Sequence, residues 1–236
     1  MGARRPAAVL FDMDGTLLDS EKVWAVALHE LAAEYGAALS EQGRLAMVGT
    51  GMAESMAILH AEIGQPWRDP DASARWLHDR VAQLFEAGLT WRPGASALLS
   101  AVRRAAVPTA LVTSTTRRLV EAALGTLGAD NFDVVVCGDE VAAQKPDPEP
   151  YRTAARLLGV PVDRCVAIED SPVGVASARA AGVGVVAVPC DVPLRPAAGV
   201  LLVDSLTEVD LALLCTALPA VDVALGPVDS RPPTPG

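Results

Sequence analysis

Short apolar segments alternate with segments of helical periodicity along most of the chain, and this alternation constrains the fold more than any other feature. The first apolar run, Ala-Ala-Val-Leu-Phe, covers residues 7–11. Later runs of the same type cover residues 109–114, 132–138, 164–170, 183–189 and 199–205. Strands that alternate with helices form a parallel sheet with right-handed crossovers and helices on both faces. We therefore predict an α/β fold with a Rossmann-like parallel sheet.

A block without strand signals interrupts this alternation. Between about residues 20 and 89 the pattern is helical, with three periodic segments that each stop at a glycine suited to a helix C-cap. The chain returns afterwards to the α/β pattern, so we interpret the block as an all-helical cap inserted after the first strand. The predicted divisions are a core of residues 1–18 plus 92–217, a cap of residues 19–91 and a flexible, proline-rich tail of residues 218–236.

Charge and composition narrow the class of partner. With 29 acidic against 19 basic residues, the formal net charge is −10, which disfavours nucleic acid and anionic membrane surfaces. No apolar run approaches the length of a membrane span. The four cysteines form no Cys-x-x-Cys pair, and we interpret them as buried free thiols. These features favour a cytoplasmic protein with a small-molecule partner, and they leave the oligomeric state open, with a monomer favoured.

Carboxylates follow two of the predicted strands. Asp12 and Asp14 come directly after the first strand, and Glu169 and Asp170 end the strand near residue 168. Ligands of parallel α/β sheets bind beyond the carboxyl ends of the strands, so these groups are expected to converge. Four adjacent carboxylates do not all stay ionised without a cation, and oxygen ligands select a hard divalent ion. The sequence therefore predicts a Mg²⁺ site.

A lysine completes this candidate site. Lys145 follows a further predicted strand, and together with a metal it would neutralise a dianionic phosphoryl group. A carboxylate nucleophile at phosphorus divides one difficult displacement into two easier steps. We predict Asp12 as this nucleophile and Asp14 as the general acid and base.

These motifs resemble those of the haloacid dehalogenase superfamily, in the branch of phosphatases and sugar-phosphate mutases with a helical cap. The similarity covers nearly the whole chain to about residue 217. Its four motifs occur in order, as Asp-Met-Asp-Gly-Thr at 12–16, Thr113 in Leu-Val-Thr-Ser-Thr, Lys145 in Lys-Pro-Asp-Pro-Glu-Pro-Tyr, and the acidic pair in Ile-Glu-Asp-Ser at 168–171.

The resemblance implies a role for each motif residue. Asp12 would be nucleophile and metal ligand, and Asp14 would bind the metal through its carbonyl oxygen. Thr113 would hydrogen-bond the phosphoryl group, and Lys145 would stabilise the charge that Asp12 shares with it. Asp170 would complete the Mg²⁺ shell.

Four further residues have smaller or less defined roles. Glu169 would support the metal directly or through water. Thr16, Ser114 and Ser171 are expected to contact the substrate. Ser171 precedes Pro172 and is equally readable as an ordinary helix N-cap.

Inside the family, the choice lies between a phosphatase and a mutase. Mutases similar to β-phosphoglucomutase carry a cap histidine where this chain has Trp24, and an arginine in the glycine-rich loop where residues 49–55 have none. Hydrolysis of a small phosphomonoester is therefore favoured, with a sugar-phosphate mutase as the alternative and a noncatalytic binding protein as a third hypothesis. The cap residues His29, His60, His78 and Trp24 are interpreted as packed or solvent-facing.

Overall fold

The computed structural model describes residues 5–47, 50–190 and 192–219, and it confirms the α/β fold. Within these residues the strands form one parallel sheet with the order β3-β2-β1-β4-β5-β6. The strands are β1 (Ala8–Phe11), β2 (Thr109–Val112), β3 (Val134–Val136), β4 (Cys165–Glu169), β5 (Gly184–Ala187) and β6 (Val200–Leu202). The strand nearest the N-terminus of the chain thus lies in the middle of the sheet.

The register of the central strands determines where the site lies. Phe11 at the end of β1 pairs with Leu111 of β2 on one side and Ile168 of β4 on the other. The three strands therefore end within one or two residues of one another. The residues that follow them, including Asp12 and Thr113, meet at one edge of the sheet, as predicted.

Successive side chains of the strands alternate between two apolar layers, one on each face of the sheet. Val9 and Phe11 belong to one buried cluster, whereas Ala8 and Leu10 belong to the other. Successive side chains of a strand point to opposite faces of the sheet, so both faces of β1 are covered. The first cluster continues into the cap, where it includes Leu28.

Nine α-helices complete the described chain. The cap holds α1 (Glu21–Glu34), α2 (Glu41–Ala46), α3 (Met52–Glu62) and α4 (Pro70–Glu86). The core holds α5 (Ala95–Arg104), α6 (Arg117–Leu127), α7 (Glu149–Leu158), α8 (Pro172–Ala181) and α9 (Leu211–Thr216). The short helix α2 was not predicted; its N-cap is Ser40, whose hydroxyl accepts a hydrogen bond from the Gly43 amide.

Two linkers join the cap to the core side by side. The Asp19 amide donates to the Thr90 carbonyl at 2.8 Å, and the Arg92 amide donates to the Leu17 carbonyl at 2.9 Å. These contacts coincide with the predicted cap boundaries, which stay a prediction. Helix α4 of the cap packs on α6 of the core.

Other sequence predictions have mixed outcomes. Cys137 and Cys165 are buried free thiols, whereas Cys190 and Cys215 are partly exposed. Within the described ranges, every helix is too short or too polar to traverse a lipid bilayer. The predicted tail lies outside the described residues from residue 220 onward.

Candidate active site

The predicted site residues converge on one cavity at the carboxyl edge of the sheet. Asp12 follows β1, Thr113 follows β2 and Asp170 follows β4, while Lys145 reaches in from the loop before α7. This acidic cavity has a volume of about 310 Å³. Seven of the nine predicted site residues line it, namely Asp12, Asp14, Thr113, Ser114, Lys145, Asp170 and Ser171.

Lys145 is the buried cation of the site. Its ammonium group donates to Asp12 Oδ1 at 2.7 Å, to Glu169 Oε1 at 2.6 Å and to the Val112 carbonyl at 2.9 Å. Burial lowers the pKa of Lys145, but the charges of Asp12 and Glu169 outweigh it and hold this pKa above its ordinary value. The lysine is therefore a fixed positive charge beside Asp12.

Three carboxylates surround this single cation. Asp12, Glu169 and Asp170 each offer an oxygen within 4.8 Å of the others. Burial and, after it, the charges of Asp12 and Glu169 together raise the pKa of Asp170 to about 9, although Lys145 opposes the shift. Burial also raises the pKa of Asp12, although Lys145 opposes the shift. One lysine does not neutralise this cluster, so a divalent cation fits it.

An unpartnered oxygen supports the same conclusion. Asp12 Oδ2 is buried, and it has no hydrogen-bond partner among the described residues. Buried charged oxygens are costly unless they are paired or coordinate a metal. The residues present therefore fit a hard cation.

Asp170 is held close to the first strand by two neighbours. Gly15 has a φ of +76°, and a Cβ atom there would lie 2.1 Å from Asp170 Oδ2. The Thr16 hydroxyl donates to Asp170 Oδ1 at 3.2 Å. Thr16 is buried and does not line the acidic cavity, so its contact is with Asp170; its expected contact with substrate stays a prediction.

Hydroxyl groups orient the carboxylate of Asp14. Its Oδ1 accepts from Ser20 at 2.6 Å, and its Oδ2 accepts from Thr115 at 2.6 Å and from Thr113 at 3.2 Å. Thr115 and Ser20 were not among the predicted site residues. The hydroxyl-rich sequence Thr-Ser-Thr-Thr after β2 is the signal that could have indicated Thr115.

Glu169 lies beneath the cavity and is fully buried. Besides Lys145, it accepts from the Tyr151 hydroxyl at 2.6 Å and from the Ser171 hydroxyl at 3.3 Å. Tyr151 is a further residue that the sequence analysis missed, because its place beside Glu169 depends on how α7 packs. Ser171 also accepts from the Gly174 amide at 3.0 Å, which confirms the N-cap interpretation of this residue.

A second cavity lies between cap and core. This cap cavity has a volume of about 470 Å³ and shares Asp14 with the acidic cavity. Trp24 and His78 line its cap side, with ring centroids 6.1 Å apart in an edge-on arrangement. The interpretation of both as mere cap packing or solvent-facing residues was therefore incomplete, since they also form a cavity wall.

His60, by contrast, is a packing residue, as predicted. It is buried, and its Nε2 lies 2.8 Å from the Ser73 hydroxyl, which also contacts the Tyr35 hydroxyl at 2.7 Å. The three side chains tie α3 and α4 to the end of α1.

Taken together, the sheet, the buried lysine and the carboxylate cluster are those of an α/β enzyme that handles phosphoryl groups. The chain belongs to the haloacid dehalogenase-like hydrolases, since the model of that family matches residues 6–182. The sequence-based recognition of the family is thereby confirmed.

Named relatives show the range of substrates in this family. Hexitol phosphatase A of Escherichia coli K12 is 36% identical over 210 residues, which are 86% of this chain and 88% of the relative. Phosphoglycolate phosphatase of Rhodospirillum rubrum is 38% identical over 190 residues, or 77% and 78% of the two chains. A variant of CbbY from Rhodobacter sphaeroides, solved with xylulose-(1,5)bisphosphate, has a TM-score of 0.72 and 31% identity, over 86% of this chain and 96% of that one.

Proposed function

We propose that this protein is a Mg²⁺-dependent phosphatase that hydrolyses a small phosphomonoester through an aspartyl-phosphate at Asp12. The observation that carries the proposal is the pairing of Asp12 with buried Lys145, beside three carboxylates, in a cavity at the carboxyl edge of the sheet. Named phosphatases among the relatives support the same reaction.

Asp12 is the nucleophile in this proposal. A carboxylate oxygen of Asp12 attacks phosphorus, so that an O–P bond forms as the bond to the leaving oxygen breaks. Lys145 contacts the other side of the same carboxylate through Oδ1 and stabilises the charge that it shares with the phosphoryl group. Thr113 and Ser114 line the cavity and would donate to the phosphoryl oxygens, Thr113 after its hydroxyl turns away from Asp14 Oδ2.

Asp14 is the general acid and base in this proposal. It lies between the acidic cavity and the cap cavity, where the bond between phosphorus and the leaving group is expected. It donates a proton to the leaving oxygen and then takes one from the water that attacks the aspartyl-phosphate. Its hydrogen bonds to Ser20 and Thr115 fix the direction of the carboxylate.

The metal site follows from the same residues. Asp12 and Asp170 would hold Mg²⁺ through their side chains, Asp14 through its backbone carbonyl, and Glu169 directly or through water. When bound, the ion would neutralise charge on the phosphoryl oxygens. Thr16 positions Asp170, and Ser171 contributes a hydroxyl at the cavity wall.

The proposal also includes the predictions on binding partners, cellular location and oligomeric state. We expect a small phosphorylated substrate, no nucleic-acid or membrane partner, a cytoplasmic location and a monomer.

Release of inorganic phosphate from an aryl phosphate tests the proposed function. We expect turnover with Mg²⁺, loss of turnover in excess chelator, and recovery when Mg²⁺ is restored. The variant Asp12→Asn keeps the shape of the side chain but is a poor nucleophile, so it should lose turnover while its circular dichroism stays unchanged. Turnover by Asp12→Asn equal to that of the wild type would refute the role of Asp12, and absence of turnover in the wild type would favour a noncatalytic protein.

A further inference from the structure

The cap cavity adjoins the acidic cavity and is therefore placed to receive the leaving group of a substrate whose phosphoryl group lies beside Asp12. It shares Asp14 with the acidic cavity, and its volume of about 470 Å³ is within the range of cavities that hold small molecules. The chemistry of its wall therefore bears on which phosphomonoesters are accepted. This inference about the leaving group rests on the proposed function.

The charged side chains of the wall are mainly acidic. Asp14 and Glu21 contribute carboxylates. Among the described residues that line the cavity, Arg44 is the one lysine or arginine, and its Nε and Nη2 donate to Glu41 at 2.9 Å and 2.7 Å. Burial lowers the pKa of His78, so the imidazole favours its neutral form. A second anionic group on the substrate would thus lie beside carboxylates, with few positive charges in the wall to offset its lost hydration.

The remaining wall suits an uncharged, hydroxylated group. Thr50, Ser55, Thr116 and Gln144 line the cavity. The Thr50 hydroxyl donates to the Met47 carbonyl at 2.9 Å and lies 2.7 Å from the Ser55 hydroxyl, and the Gln144 amide donates to the Gly138 carbonyl at 3.0 Å. The side-chain oxygens of these residues keep free lone pairs, which accept hydrogen bonds from hydroxyl groups but not from an anion. Trp24 also lines the cavity, and its ring is an apolar group of the kind that packs against carbon skeletons. Polyol and sugar groups combine both requirements.

The start of helix α3 also faces this cavity. Its amide groups would favour an anion, but its first turn carries the acidic Glu54. Backbone amides donate equally to hydroxyl and carbonyl oxygens of a neutral group. The N-terminus of α3 therefore does not make the cavity wall favour an anion over an uncharged group.

We propose that this enzyme selects phosphomonoesters whose leaving group is an uncharged polyol or sugar, and that it discriminates against substrates with a second phosphate or a carboxylate. The relatives do not decide this point, because their names include hexitol phosphate, phosphoglycolate and a bisphosphate. A second anion loses its hydration on entering the cap cavity and finds no unpaired arginine or lysine among the described wall residues to replace it.

Two matched substrate pairs test the proposal through kcat/KM. The first pair is glycerol 3-phosphate and 3-phosphoglycerate, which differ by a hydroxymethyl group against a carboxylate. The second pair is fructose 6-phosphate and fructose 1,6-bisphosphate. We expect the member with the neutral leaving group to be preferred by about tenfold or more in both pairs. An equal or reversed preference in either pair, with active enzyme, overturns the proposal.

The same panel separates this inference from the proposed function. An aryl phosphate is included as a generic substrate. Turnover of the aryl phosphate together with a preference for the anionic members would overturn the inference and leave the phosphatase assignment intact. Absence of phosphate release from every compound would overturn both.

A pair of variants at Met52 tests whether charge is the cause. Met52 lies at the start of α3 and lines the cap cavity. Met52→Arg introduces a cation, whereas Met52→Gln introduces an uncharged polar group of similar length. We expect Met52→Arg to reduce the neutral-to-anionic ratio of kcat/KM by about fivefold or more relative to Met52→Gln. Equal ratios in two folded variants would show that wall charge does not determine the preference.

Discussion

Substitution of Gly174 by alanine tests how rigidly the floor of the site is held. Gly174 lies in α8, where alanine is otherwise the better helix former by up to about 1 kcal/mol. Here, however, an added Cβ atom would lie 1.9 Å from Glu169 Oε1 and 2.0 Å from Oε2. The carboxylate would therefore have to move by about 1.5 Å to reach an ordinary contact distance.

The cost of that movement follows from the contacts of Glu169. Its hydrogen bonds from Lys145 and Tyr151 are both 2.6 Å long, and its side chain is fully buried. Breaking a buried charge pair costs about 3–5 kcal/mol. After the gain in helix propensity, we expect Gly174→Ala to lose about 2–4 kcal/mol of unfolding free energy, which lowers Tm by roughly 4–16 °C in a chain of this size.

Activity should fall together with stability. Lys145 loses one of its two carboxylate partners, and a misplacement of about 1 Å costs up to about 100-fold in rate. We therefore expect kcat/KM for an aryl phosphate to fall by about tenfold or more in the folded variant at low temperature. Thermal unfolding and phosphate release measure the two effects.

Gly125→Ala is the matched control. Gly125 also lies inside a helix, α6, but apart from its chain neighbours and the backbone of this helix no described atom lies within 4 Å of the added Cβ position. This control should be neutral or gain up to about 1 kcal/mol, with unchanged activity. If Gly174→Ala behaved like Gly125→Ala in both assays, the close packing of Glu169 on α8 would not be a requirement of the site.

Three further predictions address single groups. Tyr151→Phe removes the hydroxyl that donates to Glu169 and keeps the ring, so unfolding free energy should fall by about 1–3 kcal/mol and kcat/KM severalfold; unchanged values would exclude a positioning role. Asp14→Asn should still release the aryl alcohol of an activated aryl phosphate in a burst, because this leaving group needs no proton, and then hydrolyse the intermediate slowly; stopped-flow absorbance without a burst would argue against the role of Asp14. Burial lowers the pKa of His60, so the neutral form is favoured in the folded state, and its contribution to stability is present above the unfolded pKa of about 6.5 and is lost as pH falls through the lowered folded value. The decrease of Tm between about pH 7.5 and 5 should therefore be smaller in His60→Gln than in the wild type, and equal decreases would contradict this reasoning.

The sequence predicted the site best where functional residues come directly after a strand. The carboxyl ends of parallel strands lie at one edge of a sheet, so the positions of Asp12, Thr113 and Asp170 after three apolar runs predict that they converge. The apolar runs predicted every strand of the described sheet, although the structure ends several of them earlier. The local sequence pattern was sufficient to predict these strands because the core of the fold repeats one unit, a strand followed by a helix.

Residues that act through tertiary contacts were missed. Tyr151 reaches Glu169 because α7 packs across β1, β2 and β3, and Thr115 reaches Asp14 because β2 lies beside β1. Gly174 matters through a side chain on another element, which composition alone does not show. Trp24 resembled a packing residue because a helical pattern does not reveal whether a cavity lies beside a given face.

The most direct test of the central claim is to trap the covalent intermediate. Enzyme in steady-state turnover would be quenched with borohydride, which reduces an aspartyl-phosphate to homoserine, and then digested for peptide mass spectrometry. We predict homoserine at residue 12 in the wild type with substrate and Mg²⁺, and none without substrate. Reduction at another acidic residue, or an unmodified residue 12 during active turnover, would contradict the account.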